Sequence, residues 1–195
     1  DPKGAVSNNL TGIDIFNVWP HPELIGPDKV REDELFEIVE KGKPDTQSDQ
    51  STLRYNWYLD GDDVGENRSS LEISIPFSGQ YNISLKITDD DGSSGRSWHV
   101  IDVVNSPPTA IIYGPVTAVE GETLTFLSNG SIDTPGDKES LSYQWDVGAD
   151  GTFEYDGPSI SIKFDDVGIH SLLLKVTDDD GAFDQHMINI SVENI

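Results

Sequence analysis

Cysteine is absent from the 195 residues. That excludes a disulfide framework, a thiol nucleophile and any zinc–thiolate site. Basic residues are scarce, with 12 Lys and Arg against 36 Asp and Glu and a net charge of −24. Such a chain repels nucleic-acid phosphates and anionic membrane surfaces, and attracts cations. No apolar run approaches the ~20 residues of a membrane-spanning helix. No signal peptide opens the chain, so it reads as an excised piece of something longer. Hydrophobic residues make up only 35 %, which suits small β-domains with thin cores.

What is abundant is aspartate, 24 residues against 12 glutamates. Aspartate favours turns and oxygen-ligand sites over helices. Acidity for solubility alone, as in halophilic adaptation, is the bland alternative. The acidity is also patterned. Leu85-Lys86-Ile87-Thr88-Asp89-Asp90-Asp91-Gly92 recurs as Leu174-Lys175-Val176-Thr177-Asp178-Asp179-Asp180-Gly181. Each copy reads as a half-buried strand running into an acidic turn. Three adjacent carboxylates repel one another and need solvent or a cation.

The repeat extends over most of the chain. Asn17, Pro20, Gly26, Pro27, Asp45, Asp49, Tyr55 and Trp57 match Asn105, Pro108, Gly114, Pro115, Asp133, Asp137, Tyr143 and Trp145 at an offset of 88. Gly79, Lys86, Thr88 and the acidic turn match at 89, and Asn105 itself maps to Asn194. Two units follow, residues 17–104 and 105–195. Residues 1–16 precede them and are expected to form an extra strand or the end of an upstream unit. The linker Val104-Asn105-Ser106-Pro107-Pro108 is short and stiffened by two prolines.

Short, turn-bounded alternating segments predict strands in the second unit near Thr109–Tyr113, Leu124–Leu127, Leu141–Val147, Ser159–Phe164, His170–Thr177 and Asp184–Val192. In the first unit Lys29–Glu40 could pass as an amphipathic helix. A strand at Glu34–Val39 is preferred, because Phe36 and Ile38 align with Leu124 and Phe126. The fold class is therefore all-β, two tandem immunoglobulin-like antiparallel β-sandwiches. Trp57 and Trp145 are expected at mid-sandwich, where an aromatic sets inter-sheet packing, with Tyr55 and Tyr143 on the same face.

In fixed order, Asn105-Ser106-Pro107-Pro108-Thr109-Ala110, Ser131-Ile132-Asp133, Tyr143-Gln144-Trp145-Asp146-Val147-Gly148 and Val176-Thr177-Asp178-Asp179-Asp180-Gly181 resemble the PKD (polycystic kidney disease) family of immunoglobulin-like domains. The first unit departs from the pattern: Tyr58 follows its Trp57, Lys43-Pro44-Asp45 replaces Ser-x-Asp, and Trp19 stands at the first proline.

Calcium takes six to eight oxygens from several loops. Strand order in such a sandwich gathers Asn105, Asp133, Asp137, Asp178 and Asp180 at one end of the second unit, and Asn17, Asp45, Asp49, Asp89 and Asp91 in the first. The resemblance supports this placement, since some PKD-like domains hold calcium there. Bound Ca2+ is the expected cofactor, with the middle Asp of each turn facing solvent. Solvated turns are the alternative. Asp146-Val147-Gly148-Ala149-Asp150-Gly151 has ligand-like spacing, but a plain inter-strand turn is the expectation there.

Asn-x-Ser/Thr occurs at Asn9, Asn67, Asn82, Asn129 and Asn189. Nine asparagines have a residue two positions on, and Ser plus Thr make up about 16 % of the chain. Chance then supplies one or two matches, so five suggest a glycosylated outer-surface protein. The four histidines show neither metal spacing nor a nucleophile partner, and no glycine loop cradles phosphate. Trp19 and Trp98 are expected to pack in a core or between units rather than form an exposed platform.

The functional expectation is a non-enzymatic module, extracellular or on a cell surface. It would be a calcium-stabilised spacer or adhesion element whose partners are neighbouring domains, other surface proteins or polysaccharide. It would bind no nucleic acid and insert into no membrane. The alternative is an accessory substrate-binding module of a secreted protease or chitinase.

Overall fold

The computed structural model describes residues 17–42, 44–47, 49–65 and 67–194. The N-terminal segment 1–16, with the sequon at Asn9, lies outside the described residues. Among those described, every regular element is a strand. The first unit contains β1 (Leu24–Ile25), β2 (Lys29–Arg31), β3 (Phe36–Glu40), β4 (Arg54–Leu59), β5 (Asp62–Asp63), β6 (Ser70–Ile73), β7 (Gly79–Thr88) and β8 (Ser94–Val104). The second contains β9 (Thr117–Val119), β10 (Thr123–Leu127), β11 (Ser142–Val147), β12 (Tyr155–Asp156), β13 (Ser159–Lys163), β14 (Gly168–Thr177) and β15 (Phe183–Glu193).

Each unit packs a small sheet on a five-stranded one. The first pairs β1-β3-β6 with β2-β8-β7-β4-β5, and the second pairs β10-β13 with β12-β11-β14-β15-β9. The long hairpins β7–β8 and β14–β15 are antiparallel and in strict register, Thr88 opposite Ser94 and Thr177 opposite Phe183. The short edge strands β2 and β9 instead run parallel to β8 and β15. Each hairpin therefore places its acidic turn at the end of a stiff ladder.

The alternation read from the sequence decides what is buried. Leu172, Leu174 and Val176 point inward from β14 and meet Phe126, Ile160 and Ile162 from the small sheet. Ile83, Leu85 and Ile87 do the same in the first unit against Phe36, Ile38 and Leu71. Trp57 and Trp145 are fully buried at the centres. Each indole N–H donates to a backbone carbonyl, of Arg68 and Gly157 respectively, at 2.9 Å. Burying so large a ring without stranding its N–H explains why tryptophan fits here. Tyr55 and Tyr143 pack at the margins of the same cores.

Two expectations need correcting. The segment Thr109–Tyr113 is not a strand, and it makes only isolated bridges, Thr109 to Ile132 and Tyr113 to Leu127. Its amides go to side chains instead: Ala110 N–H to Asp184 Oδ2, Ile111 N–H to Ser131 Oγ and Ile112 N–H to His186 Nδ1. Trp19 and Trp98 are not packed in a core, being 65 % and 59 % exposed. Trp98 lies at an outward position of β8, whose inward residues already fill the thin core. The Lys29–Glu40 segment is extended, as preferred, but split into two strands. Asp33 divides them in the left-handed region, φ 56°, where the second unit has Gly121, φ 85°.

Trp145→Ala is expected to cost about 3–5 kcal/mol, through lost burial and the cavity left behind. Trp98→Ala should stay within about 0.5 kcal/mol, as a surface change. Urea denaturation followed by circular dichroism checks both.

Candidate metal centre

The acidic turn is built by its first aspartate. In the second unit Asp178 Oδ1 accepts the Ala182 N–H at 2.8 Å, closing the turn through Gly181 in the left-handed region. Asp89 Oδ1 accepts the Ser93 N–H in the same way, also at 2.8 Å. The other oxygen of each reaches the lead-in asparagine. Asn105 Nδ2 donates to Asp178 Oδ2 and Asn17 Nδ2 to Asp89 Oδ2, both at 2.9 Å. Each lead-in asparagine is thus tied to a turn 72 or 73 residues further along the chain.

The loop after the second main strand repeats as well. Asp133 Oδ1 accepts the Thr134 N–H at 2.8 Å, and Asp45 Oδ1 the Thr46 N–H at 2.7 Å. Thr134 Oγ1 donates to Asp137 Oδ2 and Thr46 Oγ1 to Asp49 Oδ2. Among the described residues four side-chain oxygens are buried without a hydrogen-bond partner: Asp133 Oδ2, Asn105 Oδ1, Asp45 Oδ2 and Glu32 Oε1. Buried acceptors left unpaired cost free energy, and negative ones more. Asp133, Asp45 and Asn105 were all singled out in the sequence. Their unpaired oxygens are what a hard cation would take.

The structure ties Asn105 to Asp178 and Asn17 to Asp89. The charges of Asp137 and Asp178 both reach Asp133. Asp137 and Asp180 also meet Glu32, a residue of the first unit. Their nearest carboxylate oxygens all lie within 4.8 Å of one another. Glu32 is 4 % exposed and Asp137 1 %. Glu32 Oε2 accepts the Ser106 N–H of the linker at 2.9 Å. Asp180 Oδ2 accepts Ser78 Oγ–H from the first unit at 2.7 Å. Beside them Gly136 N–H donates to Asp33 Oδ2, and a Cβ on Gly136 would lie 2.3 Å from the Pro76 carbonyl oxygen. Asp179, expected to face only solvent, is exposed yet accepts Ser140 Oγ–H at 2.8 Å. In the first unit Asp90 and Asp91 are both exposed.

Sequence reasoning missed Glu32. A signal existed: at the same offset of 88 it maps to Glu120. Glu32 N–H bonds the Val104 carbonyl and Glu120 N–H the Glu193 carbonyl.

Burial and crowding push these acids toward their neutral forms. Glu32 is raised to about 7, mainly by burial and then by Asp137 and Asp180, against the opposing Ser106 amide. Asp133 is raised by burial and by Asp137, Asp178 and Asp179. Asp137 is raised by burial and by Asp179 and Asp180.

Asp146, Asp150 and Glu154 also approach one another, but backbone amides already hold them. Asp146 accepts the Asp150 and Gly151 N–H, Asp150 that of Thr152 and Glu154 that of Val147. This is the inter-strand turn expected. Asn67, Asn82, Asn129 and Asn189 are exposed. Three histidines bond backbone: His99 with the Pro27 carbonyl, His170 with that of Asp166, and His186 with the Ile112 N–H.

Residues 105–192 match the family model of the PKD domain. The second unit is a PKD domain, and the first repeats its strand order and acidic corner. Among solved structures the chain is similar to the PKD1 domain of Vibrio anguillarum Epp, at 26 % identity over 47 % of this chain and 100 % of that one, TM-score 0.38. It is similar to the PKD1 domain of the Vibrio cholerae metalloprotease PrtV, at 27 % identity over 45 % and 99 %, TM-score 0.36. It is also similar to the insect immune protein hemolin, at 13 % identity over 93 % and 49 %, TM-score 0.49.

In EDTA, stability should fall as pH rises from 5 to 8. Glu32 has a folded pKa near 7, above the unfolded value of roughly 4.3. The folded state therefore holds the proton more tightly. That contribution is fully present below about pH 4 and is lost as pH passes 7. Glu32→Gln should flatten this segment and be the more stable protein at pH 8, by at most about 3 kcal/mol. Thermal melts across pH with both proteins check the sign.

Proposed function

We propose that this chain is a non-catalytic, calcium-stiffened spacer of an extracellular or cell-surface protein. One calcium ion sits in each unit, at Asn105, Asp133 and Asp178 in the second and at Asn17, Asp45 and Asp89 in the first. The observation that carries the reading is the pair of equivalent corners. In each unit a buried aspartate oxygen lacks a partner, and an asparagine–aspartate bond ties the lead-in segment to the acidic turn. An ion there would satisfy the orphaned oxygens and lower the mutual repulsion of the turn. Because Asn105 lies in the linker, the same ion would stiffen the rod. Exposed sequons suit an outer-surface location, and a PKD-type sandwich suits a spacer, adhesion or assembly role.

A second reading is an accessory module that docks on an insoluble substrate of a secreted hydrolase. The outward Trp98, with Val100 beside it on the same face of β8, favours it. Loss of retention on insoluble polysaccharide in Trp98→Ala would support that reading, and absence of retention in the parent would leave the spacer.

With a dissociation constant of ~10⁻⁴ M, as in extracellular modules, 5 mM calcium should stabilise a unit by about 2 kcal/mol. The melting temperature then rises on the order of 10 °C over EDTA. Asp133→Ala should remove the shift of the second unit and Asp45→Ala that of the first. An unchanged melt in millimolar calcium would sink the proposal.

A further inference from the structure

We infer that a further divalent cation binds at the junction, held by Glu32 of the first unit and by Asp137 and Asp180 of the second, and that it locks the two units together. The inference adds a site to the spacer reading and takes from it only the choice of calcium.

Two observations carry it. First, the three carboxylates come from separate segments, yet each offers an oxygen within 4.8 Å of the others. Two oxygens each about 2.4 Å from one calcium ion can be at most ~4.8 Å apart, so the cluster has the dimensions of a shell. Second, Glu32 is 96 % buried (4 % exposed) and its Oε1 accepts no hydrogen bond. Its Oε2 accepts the Ser106 amide, and the Ser78 amide and the Asp137 carboxyl also lie close to the Glu32 carboxyl; Oε1 is the oxygen offered to an ion. No lysine or arginine pairs with these three acids in an ion pair among the described residues.

The surroundings suit an ion. Asp180 is exposed and gives a route from solvent, while Asp137 and Glu32 close the inner side. Ser78 Oγ holds Asp180 from the first unit, and Asp33 Oδ2 holds the Gly136 amide from the second. Backbone contact at Gly136 and Pro76 is tight enough to exclude a side chain. The two sandwiches therefore already meet where the carboxylates converge. Without a cation, three negative groups oppose that contact. With calcium, attraction replaces repulsion and the junction becomes rigid. Waters would complete the coordination.

The test counts ions and measures shape on the whole chain. Isothermal titration with calcium on the parent should give about three equivalents, one per unit and one at the junction. Glu32→Gln, a neutral isostere that keeps an acceptor for Ser106, should bind one equivalent fewer. Asp180→Asn, on the exposed rim, should do the same. In small-angle scattering, calcium should narrow the distribution of inter-unit distances in the parent and leave it unchanged in either variant. Glu32→Gln retaining every equivalent, with the calcium-dependent narrowing intact, would overturn the junction site. If Asp45→Ala and Asp133→Ala lose their equivalents while Glu32→Gln loses none, the spacer reading stands and this inference fails. If the parent binds no calcium, both fail. Circular dichroism of each variant confirms that a lost equivalent reflects a lost ligand rather than an unfolded unit.

Discussion

The hydrogen bond from a lead-in asparagine to the first carboxylate of the acidic turn is the contact on which the rest of each unit's corner depends. Asn105 and Asp178 are far apart in sequence, as are Asn17 and Asp89. The bond brings the start of a unit to the end of its long hairpin. Asp178 can serve because its other oxygen is already spent on closing the turn. The carboxylate is thereby oriented, and the linker leaves the sandwich in one direction. Asp133 keeps one buried oxygen unpaired and feels the charge of Asp178, so charge accumulates where the chain passes from one unit to the next.

That accumulation conflicts with stability unless something offsets it. The cores are sound: each tryptophan is buried with its N–H satisfied, and the alternating strands fill the space between sheets. The acids at the corner are therefore tolerated by a scaffold that does not need them. Groups costly in the fold and repeated in both units are candidates for a role outside it. Protons and divalent cations offset the same repulsion, and they compete for the same oxygens. The upward displacement of Glu32, Asp133 and Asp137 comes first from burial and then from the charge of their neighbours.

Much of the fold was legible because its signals are local. Period-2 alternation in Leu172-Leu173-Leu174-Lys175-Val176 assigns a face to each residue before any contact is known. The glycine after three aspartates marks the turn. Where local signals compete, the reading slipped. Thr109–Tyr113 alternates like a strand, yet Asp184 and His186 from β15 take its amides. Trp19 and Trp98 carry the hydrophobicity of core residues but occupy outward positions. A thin sandwich already filled by Trp57 and its neighbours has no further room for them.

By itself the sequence determined two all-β units, the tryptophan at the centre of each, and an acidic corner drawn from three separated segments, because periodicity and a repeat at 88–89 residues are properties of the chain. Only the tertiary structure decided how those acids are shared. It brought Glu32 across from the preceding unit to meet Asp137 and Asp180. Apart from its match to Glu120 at the repeat offset, Glu32 carries no motif. Its burial follows from the parallel edge strand β2 ending beside the linker, where its carboxylate meets the Ser106 amide. Contacts between units arise from where strand ends fall in space, and no local pattern of residues encodes that.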